Sequence, residues 1–240
     1  MKFKRDAARW KKEMKDLENS LLELVKANAA SDDPKVKNSF TFKKMQEIYE
    51  AEEDGQQRWG LETTEATMQS FVLAMILFPS IQKKAQAEID RVIGPRRLPT
   101  FKDQSDLPYL HAVILETLRW NPVLSNGLPH VSRKDDVYDG YFIPKGTSVI
   151  ANAWGFSRNP KYYSNPSVFD PDRYLKQTPE LDPREFVFGY GRRICPGKDL
   201  AFQNVWILAA SLLWASDLVG AEDKLASLPD VDRFSFGLVK

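Results

Sequence analysis

The sequence predicts a mainly α-helical protein with a small β-sheet. Apolar residues recur at helical spacing in several separate blocks, while the stretch from Leu128 to Ile150 consists of short β-favouring pieces around a Pro-Lys-Gly turn. The chain has 240 residues, 42% of them hydrophobic, which is enough to bury a sizeable core.

Ala, Leu, Lys and Glu dominate from Lys2 to about Glu53, broken by Ser31-Asp32-Asp33-Pro34, so two solvated helices are expected there. A second helical block runs from Gly60 to about Ile93, interrupted at Pro79 and ended by Gly94-Pro95. Its first half is apolar and reads as a buried helix; its second half is amphipathic. Asp106 is the expected N-cap of a helix from Pro108 to about Trp120, where Leu110, Ile114 and Leu118 repeat and Asn121-Pro122 stops the helix. Tyr141-Phe142-Ile143 and Ser148-Val149-Ile150 then read as strand, turn, strand around Pro144-Lys145-Gly146. Residues from Asn159 to Arg184 are rich in Pro, Asn and Asp and predict an ordered but irregular excursion. A final helix is expected from about Lys198 to Asp217.

Lys and Arg number 34 against 33 Asp and Glu, a formal net charge of +1, so nothing in the charge points to nucleic acid. Met1 to Trp10 is basic and amphipathic with no apolar run behind it, and reads as neither signal nor anchor. The apolar stretches Phe71 to Phe78 and Ala201 to Ala215 are shorter than the ~20 residues of a membrane span and read as core helices. A single cysteine excludes an internal disulfide, and with only His111 and His130 beside it a Cys/His zinc site lacks a ligand. Cys195 is therefore inert, reactive or a ligand.

Phe188-Gly189-Tyr190-Gly191-Arg192-Arg193-Ile194-Cys195-Pro196-Gly197 sets that cysteine in a glycine-punctuated loop feeding a helix. Most free cysteines are small buried hydrophobes. Here, however, the glycines allow tight turning and close approach to a flat macrocycle. The helix N-terminus and the adjacent arginines favour the thiolate. Arg193 is placed to reach an anionic cofactor edge such as a haem propionate.

The loop resembles the cytochrome P-450 signature F-G-x-G-x-R-x-C-x-G, matched at every specified position by Phe188 through Gly197. Three further motifs follow the family's order. Glu116-Thr117-Leu118-Arg119 is similar to E-x-x-R, although an ordinary surface ion pair at i, i+3 would look the same. Pro171-Asp172-Arg173-Tyr174 resembles P-E-R-F, with Asp for Glu and Tyr for Phe. Gly60-Leu61-Glu62-Thr63-Thr64 resembles G-x-D/E-T-T, where the bland alternative is that Thr63 or Thr64 caps a helix starting there.

The resemblance implies the C-terminal part of the cytochrome P-450 fold, residues 1–240 forming one partial haem-thiolate domain of eukaryotic microsomal, fungal-like type with 186–197 as the cysteine-ligand loop. It implies haem b ligated by Cys195 and contacted by Arg193, His130, Phe188, Gly189, Gly191 and Gly197. His130 also reads as a generic loop polar residue. Glu62 and Thr63 would relay protons, because making water from O2 consumes two protons in a mostly dry pocket. Glu116, Arg119 and Arg173 would form a structural triad. The implied activity is monooxygenation of a small lipophilic substrate with O2, electrons coming from NADPH through a separate reductase, at the endoplasmic reticulum membrane. Contact with that membrane would come only through an N-terminal half that the residues here do not match. Candidate pocket residues are Leu61, Val123, Leu124, Ser125 and Phe236. The rivals are a truncated non-catalytic fragment, and a haem-thiolate isomerase or dehydratase, against which retention of Glu62-Thr63 argues. The sequence departs from the family at Glu52 to Trp59, a charged stretch where members are apolar, and Arg233 to Leu238 reads as an interrupted last turn.

Overall fold

A computed structural model of the chain describes residues 58–219. The helices expected before Glu53, the charged residues before Arg58 and the turn at 233–238 lie outside the described residues. Five α-helices and four short strands make up the described part: α1 Arg58–Leu77, α2 Pro79–Val92, α3 Pro108–Trp120, β1 His130–Val131, β2 Asp136–Tyr138, β3 Tyr141–Ile143, β4 Ser148–Val149, α4 Ala153–Ser157 and α5 Lys198–Ala215. The segment between α4 and α5 holds only short 3-10 turns, at Pro171–Tyr174, Pro183–Glu185 and Gly191–Arg193.

On α1 the buried residues Thr67, Ser70, Phe71, Ala74 and Met75 follow the i, i+3, i+4 stripe of a helix packed on one side. Pro79 cannot donate to the helical ladder, and the chain bends there by 106° into α2. The amphipathic stripe of α2, Gln82, Ala85 and Ile89, then turns inward. Eleven of the 13 residues of α3 are buried, so it is enclosed on all sides, by α1, α2, α5 and the 3-10 turn at Pro171–Tyr174. One core cluster unites Phe71, Met75, Ile89, Leu110, Ile114 and Trp206; a smaller one gathers Ala153, Tyr163 and Phe186. No single helix is long and apolar enough to cross a membrane among the described residues.

Two expectations are corrected. Asp106 ends the 3-10 turn Phe101–Asp106, and Leu107, with no capping side chain, occupies the N-cap of α3. The carboxylate of Glu88 on α2 serves instead, accepting from the backbone N–H of Tyr109 (3.0 Å) and Leu110 (2.9 Å). Helix starts need acceptors, and a packed neighbour supplies them as well as a local residue does. The strands flanking Pro144-Lys145-Gly146 do not pair with each other, and there are two small sheets rather than one. β3 pairs antiparallel with β2, and β4 with β1. The hairpin turn is Asp139-Gly140, both with positive φ (49° and 79°), the geometry that matches the twist of paired strands.

Candidate functional site

The loop before α5 is built on a fixed base. Phe186 is buried against Ala153 and Tyr163, which anchors the approach. From there the chain makes a closed turn: the Cys195 N–H donates to the Phe188 carbonyl at 2.7 Å. Inside it, the N–H groups of Arg193 and Ile194 donate to the carbonyls of Tyr190 and Gly191. Gly189 (φ 80°) and Gly191 (φ 54°) take the left-handed conformations that this reversal requires. On the other side the Cys195 carbonyl accepts from the Lys198 N–H at 3.3 Å, and α5 begins.

The outcome is a cysteine held by its backbone at both ends while its side chain remains exposed and free of any disulfide. Cys195 is thus not the small buried hydrophobe that most free cysteines are. Ile194, next to the cysteine, and Leu200, in the first turn of α5, are 43% and 67% exposed, and around His130 the side chains of Leu128, Val131 and Val149 are exposed too. An accessible sulfur, exposed apolar side chains and two exposed basic residues, Arg193 and His130, fit a large flat apolar group with an anionic edge. His130 sits on β1 opposite Val149, and Arg193 ends the turn Gly191–Arg193. Phe188 is half-buried and packs against the main core. No cluster of three or more His, Cys, Asp or Glu that could hold a metal ion is found among the described residues.

Thr63 lies inside α1, five residues after its first residue, and its carbonyl accepts from the Thr67 hydroxyl at 2.9 Å. It does not cap the helix. The backbone of Glu62 is part of the same helix; its side chain is outside the described set. Val123, Leu124 and Ser125 follow α3 and are half-buried. Leu61 and Phe236 are likewise outside the set of described side chains.

Glu116, Arg119 and Arg173 meet in the interior, each fully buried. Arg119 makes a two-pronged bond to Glu116, at 2.8 and 2.7 Å, and also donates to the carbonyls of Ser157, Pro166 and Val168. Arg173 Nε lies 3.1 Å from Glu116 Oε2, an ion pair whose angle falls short of a hydrogen bond. Its Nη1 pairs with Glu180 at 2.5 Å and donates to the Ser164 carbonyl. The ring of Tyr163 lies 5.3 and 5.9 Å from the two guanidinium carbons. Glu180 is the member that sequence reasoning missed: it is an ordinary acid in an irregular segment, and nothing local marks it.

Burial alone would raise the Glu180 carboxyl, but hydrogen bonds from Ser164, Arg173 and Lys176 hold it down at about 2. Asp103, bonded by Arg97 and Thr100, is also held at about 2. Both folded values lie below the usual carboxylate range of about 4. Their stabilisation is therefore complete above roughly pH 5 and is lost as pH falls from about 4 towards 2. The thermal midpoint of the chain, followed from pH 6 to 2.5, is expected to drop steeply below about pH 4.5. Asp103→Asn combined with Glu180→Gln flattens that drop; an unchanged slope would count against this account.

A family model described as Cytochrome P450 matches residues 59–218. The chain is 43% identical over 213 residues to the cytochrome P450 monooxygenase claR of Ampulloclitocybe clavipes, which covers 84% of this chain and 40% of that protein. It is 40% identical over 174 residues to the O-methylsterigmatocystin oxidoreductase of Aspergillus flavus, covering 71% and 33% respectively. A zebra fish cytochrome P450 solved with progesterone superposes with a TM-score of 0.60 at 34% identity, over 65% of this chain and 35% of that one. The chain spans about two fifths or less of the length of these relatives. Its helices and small antiparallel sheets are those of a partial P450 fold. With two thirds of its residues matched by the family model and such relatives at 40% identity or more, the chain belongs to the cytochrome P450 family.

Proposed function

We propose that this chain carries the haem-thiolate part of a monooxygenase that inserts one oxygen atom of O2 into a small lipophilic substrate. The observation that carries the reading is the exposed Cys195 side chain, fixed by the Phe188 carbonyl on one side and by α5 on the other. Haem b, when bound, supplies the activation of O2, with electrons from NADPH through a separate reductase.

The chain's own residues then have separable tasks. Cys195 binds the metal through its sulfur, in the loop that leads into α5. Arg193 and His130 bind the acidic edge, both exposed and engaged in no side-chain hydrogen bond or ion pair among the described residues. Gly189 and Gly191 shape the turn, and Gly197 lies beside the sulfur, a Cβ there coming into ordinary contact with Sγ at 3.9 Å. With haem bound over the otherwise exposed sulfur, Phe188 would complete its shielding from water. Thr63 and Glu62, consecutive residues of α1, hold and pass the protons that water formation consumes. The Glu116, Arg119 and Arg173 cluster is structural, being wholly enclosed by protein. Val123, Leu124 and Ser125 contact the substrate. The endoplasmic reticulum membrane is the proposed location.

The test is the absorption spectrum of the purified chain after adding haem, reducing it and exposing it to carbon monoxide. A strongly red-shifted Soret band is expected, and Cys195→Ser is expected to abolish it. No band, or one at the histidine-ligated position, would favour a fragment that does not bind haem productively.

A further inference from the structure

We propose that a cleft beside the first half of α3 binds a neutral organic molecule, an apolar body carrying an alcohol or phenol hydroxyl that hydrogen-bonds to His111. The site is separate from the Cys195 loop and from Val123, Leu124 and Ser125, and its occupation does not depend on haem.

The cleft has a volume of about 450 Å³, within the range of small-molecule sites. On α3, Pro108, His111, Ala112 and Leu115 are spaced i, i+3, i+4, i+7 and line it as one stripe. Pro108 and His111 are the two residues of that helix that are not buried, while Ala112 and Leu115 are 1% and 5% exposed and form the floor. The irregular segment supplies the facing wall through Leu175 and Pro179, both exposed, Leu175 by 45%. Among the described residues nothing fills the gap between these apolar walls, so an apolar body that entered it would remove their surface from water.

The polar groups around the cleft divide into two sets. The charged ones have counter-charges of their own: Asp182 accepts from Nε and Nη2 of Arg184 at 2.9 and 2.6 Å, and Glu180 pairs with Arg173 and Lys176. The uncharged ones, Gln104, Ser105 and His111, have side chains engaged in no hydrogen bond among the described residues. The half-buried His111 ring lies 5.1 Å from that of Phe202 on α5. Burial and the neighbouring Arg184 guanidinium lower its pKa against the pull of Asp182, so at pH 7 the imidazole is neutral, with one N–H donor and one acceptor nitrogen. A hydroxyl both donates and accepts, and meets this imidazole whichever nitrogen carries the proton. An ionised ligand finds no free counter-charge and would give up its hydration without return. The cleft is thus complementary to an uncharged hydroxyl compound.

The test is titration of the whole chain at pH 7 with four compounds that share one ring: 4-fluorophenol, fluorobenzene, 4-fluorobenzoate and 4-fluorobenzylamine. Fluorine NMR reads the affinity of each, and proton NMR of the two histidine rings, His111 and His130, reads where it binds. 4-Fluorophenol is expected to bind and to move the His111 resonances while leaving those of His130 in place. Fluorobenzene, which lacks the hydroxyl, is expected to bind about fivefold more weakly, the worth of one hydrogen bond, and the two ionic compounds to leave His111 unmoved. His111→Phe, which keeps the ring and loses the bond, is expected to weaken 4-fluorophenol by the same factor and to bind the phenol no better than fluorobenzene. Leu175→Asp places a charge on the exposed wall, where it leaves the core intact, and is expected to weaken the phenol severalfold with an unchanged circular dichroism spectrum. Equal movement of His111 and His130, ionic compounds that shift His111 as far as the phenol does, or affinity for the phenol unaltered in both variants would each overturn the proposal.

Discussion

Replacing Glu116 with Gln is expected to lower the unfolding free energy by about 3–5 kcal/mol, because it strips the shared counter-charge from two fully buried arginines. Glu180 remains near Arg173, but Arg119 is left with carbonyl partners only. A buried guanidinium cannot shed its proton, so the penalty is not relieved by neutralisation. A whole domain is stabilised by only about 5–15 kcal/mol, so the variant approaches global unfolding at 25 °C. The control is Lys84→Met, which removes an ion pair to Asp172 whose two side chains are both about half exposed. That pair is worth at most about 1 kcal/mol. Urea unfolding followed by circular dichroism separates the two; a Glu116→Gln loss no larger than that of Lys84→Met would show that the cluster is not what holds these segments together.

Trp120→Ala is expected to cost a similar amount, about 3–5 kcal/mol, by a different mechanism. The side chain is fully buried at the end of α3. Its ring stands edge-on to Phe78, at 6.1 Å, and to Phe169, at 5.5 Å, while those two rings stack at 5.2 Å. Phe78 is the residue at the bend between α1 and α2, and Phe169 belongs to the irregular segment, so three elements share the indole as a common wall. Truncation leaves a cavity that no flexible neighbour fills, because the two phenylalanines are held by each other. Trp120→Phe keeps the edge-on geometry and most of the volume and is expected to cost less than half as much. A loss from Trp120→Ala below about 1 kcal/mol in the same urea assay would mean that the site collapses around the gap.

Much of this protein is legible in the sequence because the signals concerned are local. Helical spacing fixes the placement of α1, α2, α3 and α5, Pro79 and Asn121-Pro122 mark breaks, and Glu116 and Arg119 fall on one face because i and i+3 are neighbours on any helix. The glycine-framed Cys195 is equally readable, since the turn it needs is written within ten residues. What only the tertiary structure decided are the partners brought from a distance. Arg173 reaches Glu116, and Glu180 reaches Arg173, from an irregular segment with no period to read. Glu88 caps a helix that starts 20 residues later, Asn121 finds Ser70 on another helix, and each strand beside Pro144-Lys145-Gly146 pairs with an earlier one. The physical reason is the same in every case: hydrogen bonds and charges are satisfied by whichever group packing delivers, and a sequence window records its own periodicity but not the segments that fold against it.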